Sequence, residues 1–231
     1  RVSPAERVQQ IELAMERLRW LPRRLAARSI VVNIPEFRLR AINDGEHLAM
    51  NVVVGKAARQ TQTPIVHADM THVVFRPYWN VPPGIARKEI LPKVELAPTY
   101  LTRHRMEFNG TRVRQRPGPD NALGLVKFIF PNRHHVYLHD TPMRALFRRS
   151  RRDFSHGCIR VAEPAALAQW LLDGQEGWNR ARVETAMRHG ADNRITRAPP
   201  RTGHPRGRAS EAAAGPGRAR GSRRRACSRL R

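Results

Sequence analysis

The sequence predicts a mainly β fold with appended helices, which is an α+β class. Between residues 29 and 139 most patterned segments alternate apolar and polar side chains, as half-buried strands do. Helical periodicity is concentrated before and after this region. Strands and helices therefore do not alternate regularly, as they would in a doubly wound α/β fold. An apolar content of 40% in 231 residues is sufficient for a hydrophobic core.

The first predicted element is an amphipathic helix that begins at a capping box. Ser3 occupies the N-cap, Pro4 the first helical position and Glu6 the third, an arrangement that satisfies free N–H groups of the first turn. Apolar residues follow at steps of three and four, at Val8, Ile11, Met15 and Leu18. We expect the helix to end before Pro22 and, with the linker after it, to form a segment of residues 1 to 27.

The predicted strands have period-two alternation or dense β-branched residues. They cover residues 30 to 34, 37 to 41, 48 to 54, 66 to 75, 125 to 130 and 135 to 139. An Asn-Asp-Gly turn at 43 to 45 predicts that the second and third strands form a hairpin. The prolines between residues 77 and 98 predict a loop, with one helical turn near residues 85 to 90.

Helices return at the end of the predicted domain. A short helix is expected at residues 143 to 147, and a longer one at 164 to 172 ends at an Asp-Gly pair. The last helix begins at an Asn179 cap and stops at Gly190. With the strands, these helices complete one predicted domain of residues 28 to 196.

The remaining residues, 197 to 231, form an Arg-rich tail that we expect to be disordered. The tail holds 11 Arg and one acidic residue, Glu211, with Leu230 as its large aliphatic side chain. Such a segment cannot bury enough apolar surface to offset the entropy of ordering. Two interpretations stay open: an arm that binds nucleic acid or another anionic surface, and a solvated or out-of-frame extension.

Charge and cysteine usage limit the classes of function. A net charge of +24 favours an anionic partner and leaves a basic nucleic-acid-binding protein open as an alternative function. Aromatic residues make up 6% and no nucleic-acid motif is recognised, so no specific nucleic acid is predicted. No apolar stretch reaches the roughly 18 residues of a membrane span, which predicts no transmembrane segment and no export signal. Cys158 and Cys227 are too few and too far apart for a disulfide framework.

The residues that carry chemistry lie between positions 137 and 161. Alternation places Tyr137 and His139 on one face of their strand, with the intervening apolar residues on the core face. The same alternation puts Cys158 and Arg160 on one face of the next strand. A Cys and a His that face one cleft are the arrangement of a nucleophile with its base.

Local composition supports acyl transfer at this cysteine. The segment from Ser155 to Cys158 is small and polar, so its N–H groups can approach a reacting oxygen. Four arginines lie nearby in the sequence, at Arg149, Arg151, Arg152 and Arg160. We expect their charges to lower the pKa of the thiol. Two other readings stay open: Cys158 as a small buried apolar residue, and Cys158 with His139 and His156 as zinc ligands.

The same residues resemble the signature of a known enzyme family. His139, fifteen further residues, and then Ser-His-Gly-Cys-Ile at 155 to 159 is similar to the motif of L,D-transpeptidases with a YkuD-type catalytic domain. The wider sequence resembles the Gram-negative subgroup typified by YcbB. The segments that carry this resemblance are ERLRWLP at 16 to 22, VVNIPEFRLR at 31 to 40, PYWNVPPGIARKEILPK at 77 to 93, RQRPGPDNALGLVKFIFPNRHHVYLHDTP at 114 to 142 and RDFSHGCIRV at 152 to 161.

This resemblance implies a peptidoglycan cross-linking enzyme with the YkuD-type fold. Cys158 is expected to attack the L,D bond between diaminopimelate and D-alanine in a tetrapeptide stem. The acyl group then passes to an amine of a second stem as a 3→3 cross-link. His139 is the expected base, oriented by the backbone carbonyl of Asp140, and the N–H groups of Gly157 and Cys158 are expected to bind the oxyanion.

The resemblance also implies the surroundings of the site. Substrate-binding roles are expected for Tyr137, Arg152, Ser155, His156 and Arg160, with the Arg160 guanidinium holding a stem carboxylate. No metal and no cofactor are expected. Peptidoglycan stem peptides are the expected partners, carbapenem β-lactams the expected inhibitors, and the periplasm or cell envelope the expected location. A cysteine hydrolase or L,D-carboxypeptidase on the same scaffold stays open, because it shares the acyl-enzyme.

One departure from the family concerns the end of the domain. After about Ile195 the family continues with a strand segment that bears Tyr and Trp, whereas this chain continues with its Arg-rich tail. We therefore expect a catalytic domain of residues 28 to 196 that lacks the closing segment and has low stability.

Overall fold

The computed structural model describes residues 2–19, 26, 28–43, 46–56, 61–192 and 194–198. Within these residues the chain forms twelve strands, nine in one sheet and three in a smaller one, with short helices around them. This architecture confirms the predicted mainly β class with appended helices.

The bounds of the elements are as follows. The strands are β1 Arg28–Asn33, β2 Arg38–Asn43, β3 Glu46–Gly55, β4 His72–Phe75, β5 Trp79–Asn80, β6 Met106–Asn109, β7 Arg112–Gln115, β8 Val126–Ile129, β9 Leu138–His139, β10 Asp153–Ser155, β11 Ile159–Val161 and β12 Arg194–Arg197. The α-helices are α1 Pro4–Arg19, α2 Pro83–Ile85, α3 Leu91–Leu96, α4 Tyr100–Arg103, α5 Pro164–Leu172 and α6 Arg180–Arg188. A π-helical stretch, Ala86–Ile90, joins α2 to α3, and a 3₁₀ helix covers Arg144–Arg148.

The large sheet has the strand order β1-β2-β3-β11-β9-β8-β4-β12, and β10 pairs with β3 outside this order. β9 and β11 are parallel neighbours in the middle of the sheet. Two parallel strands need a long connection, and here the chain between them passes through the 3₁₀ helix and β10. The predicted hairpin of β2 and β3 is confirmed by antiparallel pairing that ends at Asn43 opposite Glu46. Turn residues 44 and 45 lie outside the described residues.

One face of this sheet packs on helices α5 and α6 to form the main core. Fully buried Val52, Val126, Phe128 and Val161 contribute from the strands. The helices contribute Leu167, Ala168, Leu171, Leu172, Val183, Ala186 and Met187. Burial of side chains of this size contributes about 1.5 to 3 kcal/mol each, so this face supplies much of the stability of the domain.

Helix α1 forms at the predicted capping box. The Ser3 N–H donates to Glu6 Oε2 over 2.8 Å, and the Glu6 N–H donates to Ser3 Oγ over 3.3 Å. Its apolar stripe is exposed, with 54% of the surface of Val8 and 64% of that of Leu18 open to solvent. The helix is therefore held by its own caps and turns more than by packing.

The predicted strand at 135 to 139 is wrong in length, since β9 contains only Leu138 and His139. Asn132 explains the difference. Its side-chain oxygen accepts from the N–H groups of His134 and Val136, and its side-chain nitrogen donates to the Val136 carbonyl. These bonds hold the preceding residues in a turn, where His135 has a φ of 52°.

The predicted strand at 66 to 75 is also too long, because β4 begins at His72. Its partner β8 ends at Ile129, opposite His72, and Pro131 follows soon after. Earlier residues therefore have no continuing ladder to join. Residues 61 to 71 have no regular secondary structure, and Ile65 is 95% exposed.

The proline-rich stretch is more helical than predicted. Helical structure runs from Pro83 to Leu96, through the π-helical stretch, instead of one turn near 85 to 90. Pro83 and Pro92 each lie in the first turn of their α-helix, where a missing N–H costs no hydrogen bond. Prolines spaced in this way start helical segments and do not interrupt them.

A hairpin of β6 and β7 was not among the predictions. Its two-residue turn is Gly110 and Thr111, and Gly110 has a φ of 61°, which glycine adopts without strain. A glycine in the first position of a two-residue turn is the sequence signal that would have predicted the hairpin. With β5 this hairpin forms the small sheet, whose own core is Val81, Ile90 and Val113.

The end of the described chain agrees with the predicted helices. Helix α5 begins and ends at the predicted residues, and the Asn179 side chain caps α6 by accepting from the Arg182 N–H. Strand β12 then pairs with the outer edge of β4, and the buried Ala198 donates its N–H to the Thr71 carbonyl. The predicted Arg-rich tail otherwise lies outside the described residues, as does Cys227.

Candidate active site

Three polar side chains lie in one row across the centre of the large sheet. In the pairing register, Arg160 of β11 is opposite His139 of β9, and Lys127 of β8 is opposite the same histidine. Paired residues project from the same face of a sheet. Their chain neighbours Phe128 and Leu138 belong to the core, so this row lies on the opposite face.

His139 is buried and neutral. It is 4% exposed, and its Nδ1 lies 2.5 Å from the carbonyl oxygen of Asp140, the contact that the family resemblance implies. Because a carbonyl oxygen only accepts, Nδ1 carries the hydrogen and Nε2 is left to accept a proton. Burial, with the positive charges of Arg160 and then Lys127, lowers the pKa of His139 to about 3.

The carboxylate of Asp140 is held away from the histidine ring. Its Oδ2 accepts from the Leu125 N–H over 2.9 Å, and its Oδ1 lies 3.3 Å from the Arg144 guanidinium. Gly124 makes room for it, because a Cβ there would come within 2.4 Å of the Asp140 carboxyl carbon. Burial raises the pKa of Asp140. In this arrangement only the backbone of Asp140 meets the histidine.

Cys158 lies half-buried just before β11, beside Tyr137. The backbone N–H and the hydroxyl of Tyr137 and the charges of Lys127 and Arg160 favour the thiolate, but burial outweighs them and raises the pKa of Cys158. The expected lowering of this pKa is therefore wrong, because the free-energy cost of removing the thiolate from water exceeds its stabilisation by the nearby cations.

Three of the four arginines expected around the thiol are engaged elsewhere. Arg151 pairs with Asp153 over 2.7 Å, and the Arg149 guanidinium lies over the Phe154 ring. Arg152 donates to backbone carbonyls, including that of Val52 over 3.3 Å. Arg160 alone of the four acts on Cys158, so the structure does not bring Arg152 to the thiol.

The turn before Cys158 is fixed by a chain of short hydrogen bonds. The Ser155 hydroxyl donates to the Cys158 carbonyl over 2.5 Å and accepts from the Gly157 N–H over 3.1 Å. The Thr63 hydroxyl donates to the Gly157 carbonyl over 2.8 Å and accepts from the Gly55 N–H. Gly157 has a φ of 119°, which favours glycine. Sequence reasoning missed Thr63, which lies in a segment predicted as neither strand nor site.

These bonds distinguish the two N–H groups expected to bind an oxyanion. The Gly157 N–H is already taken by the Ser155 hydroxyl. The Cys158 N–H has no hydrogen-bond acceptor within the part of the chain that the structure describes. Cys158 thus offers a free N–H donor next to its own thiol, while the Gly157 N–H becomes available only after its bond to Ser155 opens.

His156 pairs with Glu89 of the π-helical stretch. Its Nε2 lies 2.8 Å from Glu89 Oε1, and both side chains are about half exposed, at 43% and 47%. This pair joins the turn before Cys158 to the π-helical stretch, which lies between β5 and β6 of the small sheet.

Arg160 and Lys127 complete the charged part of the site. The Arg160 Nε is buried and has no hydrogen-bond partner among the described residues, and its Nη1 reaches only the Met143 sulfur, at 3.5 Å. The Lys127 Nζ lies 5.4 Å from the centre of the Tyr137 ring. Sequence reasoning missed Lys127, although a single lysine within an apolar strand was a signal for it.

No group of three or more His, Cys, Asp or Glu side chains is arranged to hold a metal ion in the described ranges. The alternative zinc site of Cys158, His139 and His156 is therefore not assembled there. None of the helices in those ranges has the length and apolar character needed to cross a bilayer.

Comparison with known proteins identifies the family. Residues 27–184 match the model of the YkuD family, described as the L,D-transpeptidase catalytic domain. A Haemophilus influenzae protein named as a candidate L,D-transpeptidase is 35% identical over 219 residues, which covers 85% of this chain. The chain spans 43% of the length of that relative. With more than half of its residues matched, the chain belongs to the L,D-transpeptidases with a YkuD catalytic domain.

Proposed function

We propose that the chain is a cysteine L,D-transpeptidase that joins peptidoglycan stem peptides by 3→3 cross-links. The pairing of β9 with β11 carries the proposal, because it sets Cys158 beside Tyr137 on the face that bears His139. A thiol and an imidazole on one face are what nucleophilic acyl transfer requires. The periplasm or cell envelope is the proposed location, since the stem peptides are there.

The first half-reaction transfers the donor stem to the enzyme. The Cys158 sulfur attacks the carbonyl carbon between diaminopimelate and D-alanine while His139 Nε2 takes the thiol proton. As the sulfur attacks, negative charge develops on the carbonyl oxygen. The free Cys158 N–H donates a hydrogen bond to this oxyanion and stabilises it. His139 then gives the proton to the D-alanine nitrogen, the C–N bond breaks, and a thioester remains on Cys158.

The second half-reaction returns the enzyme to its resting state. An amine of the acceptor stem attacks the thioester, and His139 takes the amine proton. The C–S bond then breaks, and the proton returns from His139 to the sulfur. The thiol and the imidazole are both neutral near pH 7, so the proton has to move from Cys158 to His139 during the attack.

Product analysis tests the proposal. The full chain is incubated with purified tetrapeptide muropeptides, and the products are identified by mass spectrometry. We expect 3→3 linked dimers and free D-alanine from the unmodified protein and neither product from Cys158→Ala. Tripeptide without dimers would favour the hydrolase or L,D-carboxypeptidase alternative, in which water replaces the acceptor amine. No turnover by folded protein would overturn both.

A further inference from the structure

Two half-buried cations flank the catalytic histidine, and neither has an anionic partner among the described residues. Lys127 and Arg160 lie on either side of His139 in the same row of the sheet. Neither has a carboxylate partner among the described residues. Charged groups withdrawn from water are ordinarily paired or bound to an ion of opposite sign.

The resting thiol does not supply the missing negative charge. Burial is the largest influence on both cations, and it lowers the pKa of Lys127 and that of Arg160. The thiolate of Cys158 is the group that counteracts this shift in each case. Because burial raises the pKa of Cys158, the thiol is protonated near pH 7 and the two positive charges are left without compensation.

We propose that Lys127 and Arg160 together form a receptor for the terminal carboxylate of the residue that leaves the donor stem. This inference rests on the proposed function. It adds Lys127 as a binding residue and identifies which carboxylate of the donor stem is bound. The planar guanidinium of arginine can bind both carboxylate oxygens, and the lysine ammonium adds a compact charge from the other side.

The position of His139 favours the carboxylate of the leaving residue. His139 must reach the leaving nitrogen, and in an α-amino acid one carbon atom separates that nitrogen from the carboxylate. Paired side chains in a sheet have Cβ atoms about 5 Å apart, so an anion beside His139 lies within reach of both neighbours. The other free carboxylate of the donor ends the diaminopimelate side chain, several carbon atoms from the reacting bond.

An anion at this position would also improve the base. Arg160 and Lys127 now lower the pKa of His139 by repelling its proton. A carboxylate between them offsets that repulsion and raises the pKa of His139, which makes the imidazole a better proton acceptor. Binding of the correct donor would thus prepare the site for the attack of Cys158.

The test measures binding without turnover. The Cys158→Ala variant of the full chain is titrated calorimetrically with three ligands: the tetrapeptide stem, the stem with a terminal carboxamide, and the stem amidated on its diaminopimelate side chain. We expect terminal amidation to weaken binding about tenfold or more, and side-chain amidation to leave it within about twofold, because a bond to a charged partner is lost only in the first case.

Substitutions at Lys127 locate the effect. Lys127→Met in the Cys158→Ala background should weaken binding of the free acid about tenfold and leave binding of the terminal carboxamide nearly unchanged. Lys127→Arg keeps the charge and should preserve the preference for the free acid. Lys93→Met is the matched control, since Lys93 also lies over an aromatic ring, Tyr100 at 5.6 Å, but outside this row. Thermal unfolding verifies that each variant is folded.

The outcomes separate this inference from the proposed function. Equal affinity for the free acid and the terminal carboxamide, or no binding of the stem, would overturn the receptor. A loss confined to side-chain amidation would overturn the choice of carboxylate. If the unmodified protein releases D-alanine while terminal amidation changes nothing, the function stands and the receptor fails. If the binding pattern holds but the unmodified protein forms no product, the receptor stands and the function fails.

Discussion

The two faces of the central strands are built from the same segments and have opposite properties. In β8, Val126 and Phe128 are fully buried in the core, whereas Lys127 between them belongs to the site. In β11, Val161 is buried against the helices and Arg160 lies on the site face. Side chains alternate along a strand, so the pairing register of these strands decides both which residues enter the core and which residues face the site.

This difference indicates that burial on the core face supplies the stability that the site face lacks. The site face holds a buried neutral histidine and two half-buried cations, and burial lowers the pKa of all three groups, which disfavours their charged forms. Groups of this kind cost stability, and functional sites commonly carry such costs. Substitutions on the site face should therefore change activity, and substitutions on the core face should change stability.

The largest expected effect is on activity and comes from the site face. Cys158→Ala should lower the rate of D-alanine release by about 10⁴-fold or more, because the proposed mechanism forms the thioester on Cys158 alone. Its free energy of unfolding should stay within about 1 kcal/mol of the original, since a half-buried thiol contributes little packing. Coupled detection of D-alanine and urea denaturation measure the two quantities. Substantial release by the variant would refute Cys158 as the nucleophile.

The next effect is on stability and comes from the core face. Phe128→Ala should lower the free energy of unfolding by about 3 to 5 kcal/mol, because it removes a fully buried ring from the sheet–helix interface. Denaturant unfolding monitored by circular dichroism measures the loss. A change below about 1 kcal/mol would mean that helices α5 and α6 do not pack on this strand as described.

A smaller effect concerns pH and the buried histidine. The pKa of His139 is lowered to about 3 in the folded state, below its unfolded value, so its contribution to stability is complete above pH 7 and is lost on acidification. Between pH 7.5 and pH 5 this loss should reach about 2 kcal/mol. Unfolding of His139→Gln over the same range isolates the histidine, because the other titrating groups remain. Equal pH dependence of both proteins would show that His139 is not buried neutral.

The smallest expected effect is on stability and compares Lys127 with its core neighbour Phe128 in strand β8. Lys127→Met should leave the free energy of unfolding unchanged or raise it by about 1 kcal/mol, since it removes an uncompensated cation next to the core residue Phe128. The exposed Lys93, replaced in the same way, serves as the control and should change stability little. A loss above about 2 kcal/mol in Lys127→Met would mean that Lys127 has a structural partner and not a free charge.

The sequence predicted the features that depend on local pattern. Alternation correctly separated His139 from its apolar neighbours, and capping residues correctly began α1 and α6. The small residues from 155 to 158 predicted accessible backbone N–H groups beside the thiol, and the Cys158 N–H is free of acceptors among the described residues. These features follow from spacing within a few residues, which a single sequence displays directly.

Features that depend on distant contacts were not predictable in this way. The place of Lys127 beside His139 depends on the register of β8 against β9. The pKa of Cys158 depends on burial, which outweighs the one arginine that reaches it. The role of Thr63 depends on a hydrogen bond to Gly157, 94 positions away. Each requires knowledge of which segments meet, and pattern along the chain does not supply it.

Covalent trapping tests the central claim, that Cys158 on the site face is the acylated nucleophile and His139 its base. The full chain is incubated with a carbapenem near pH 7, and intact mass and peptide mapping locate the adduct. We predict one inhibitor molecule bound to Cys158, none on Cys158→Ala, and acylation slowed at least about 100-fold in His139→Gln. Folded protein without an adduct, or with an adduct on another residue, would contradict the account.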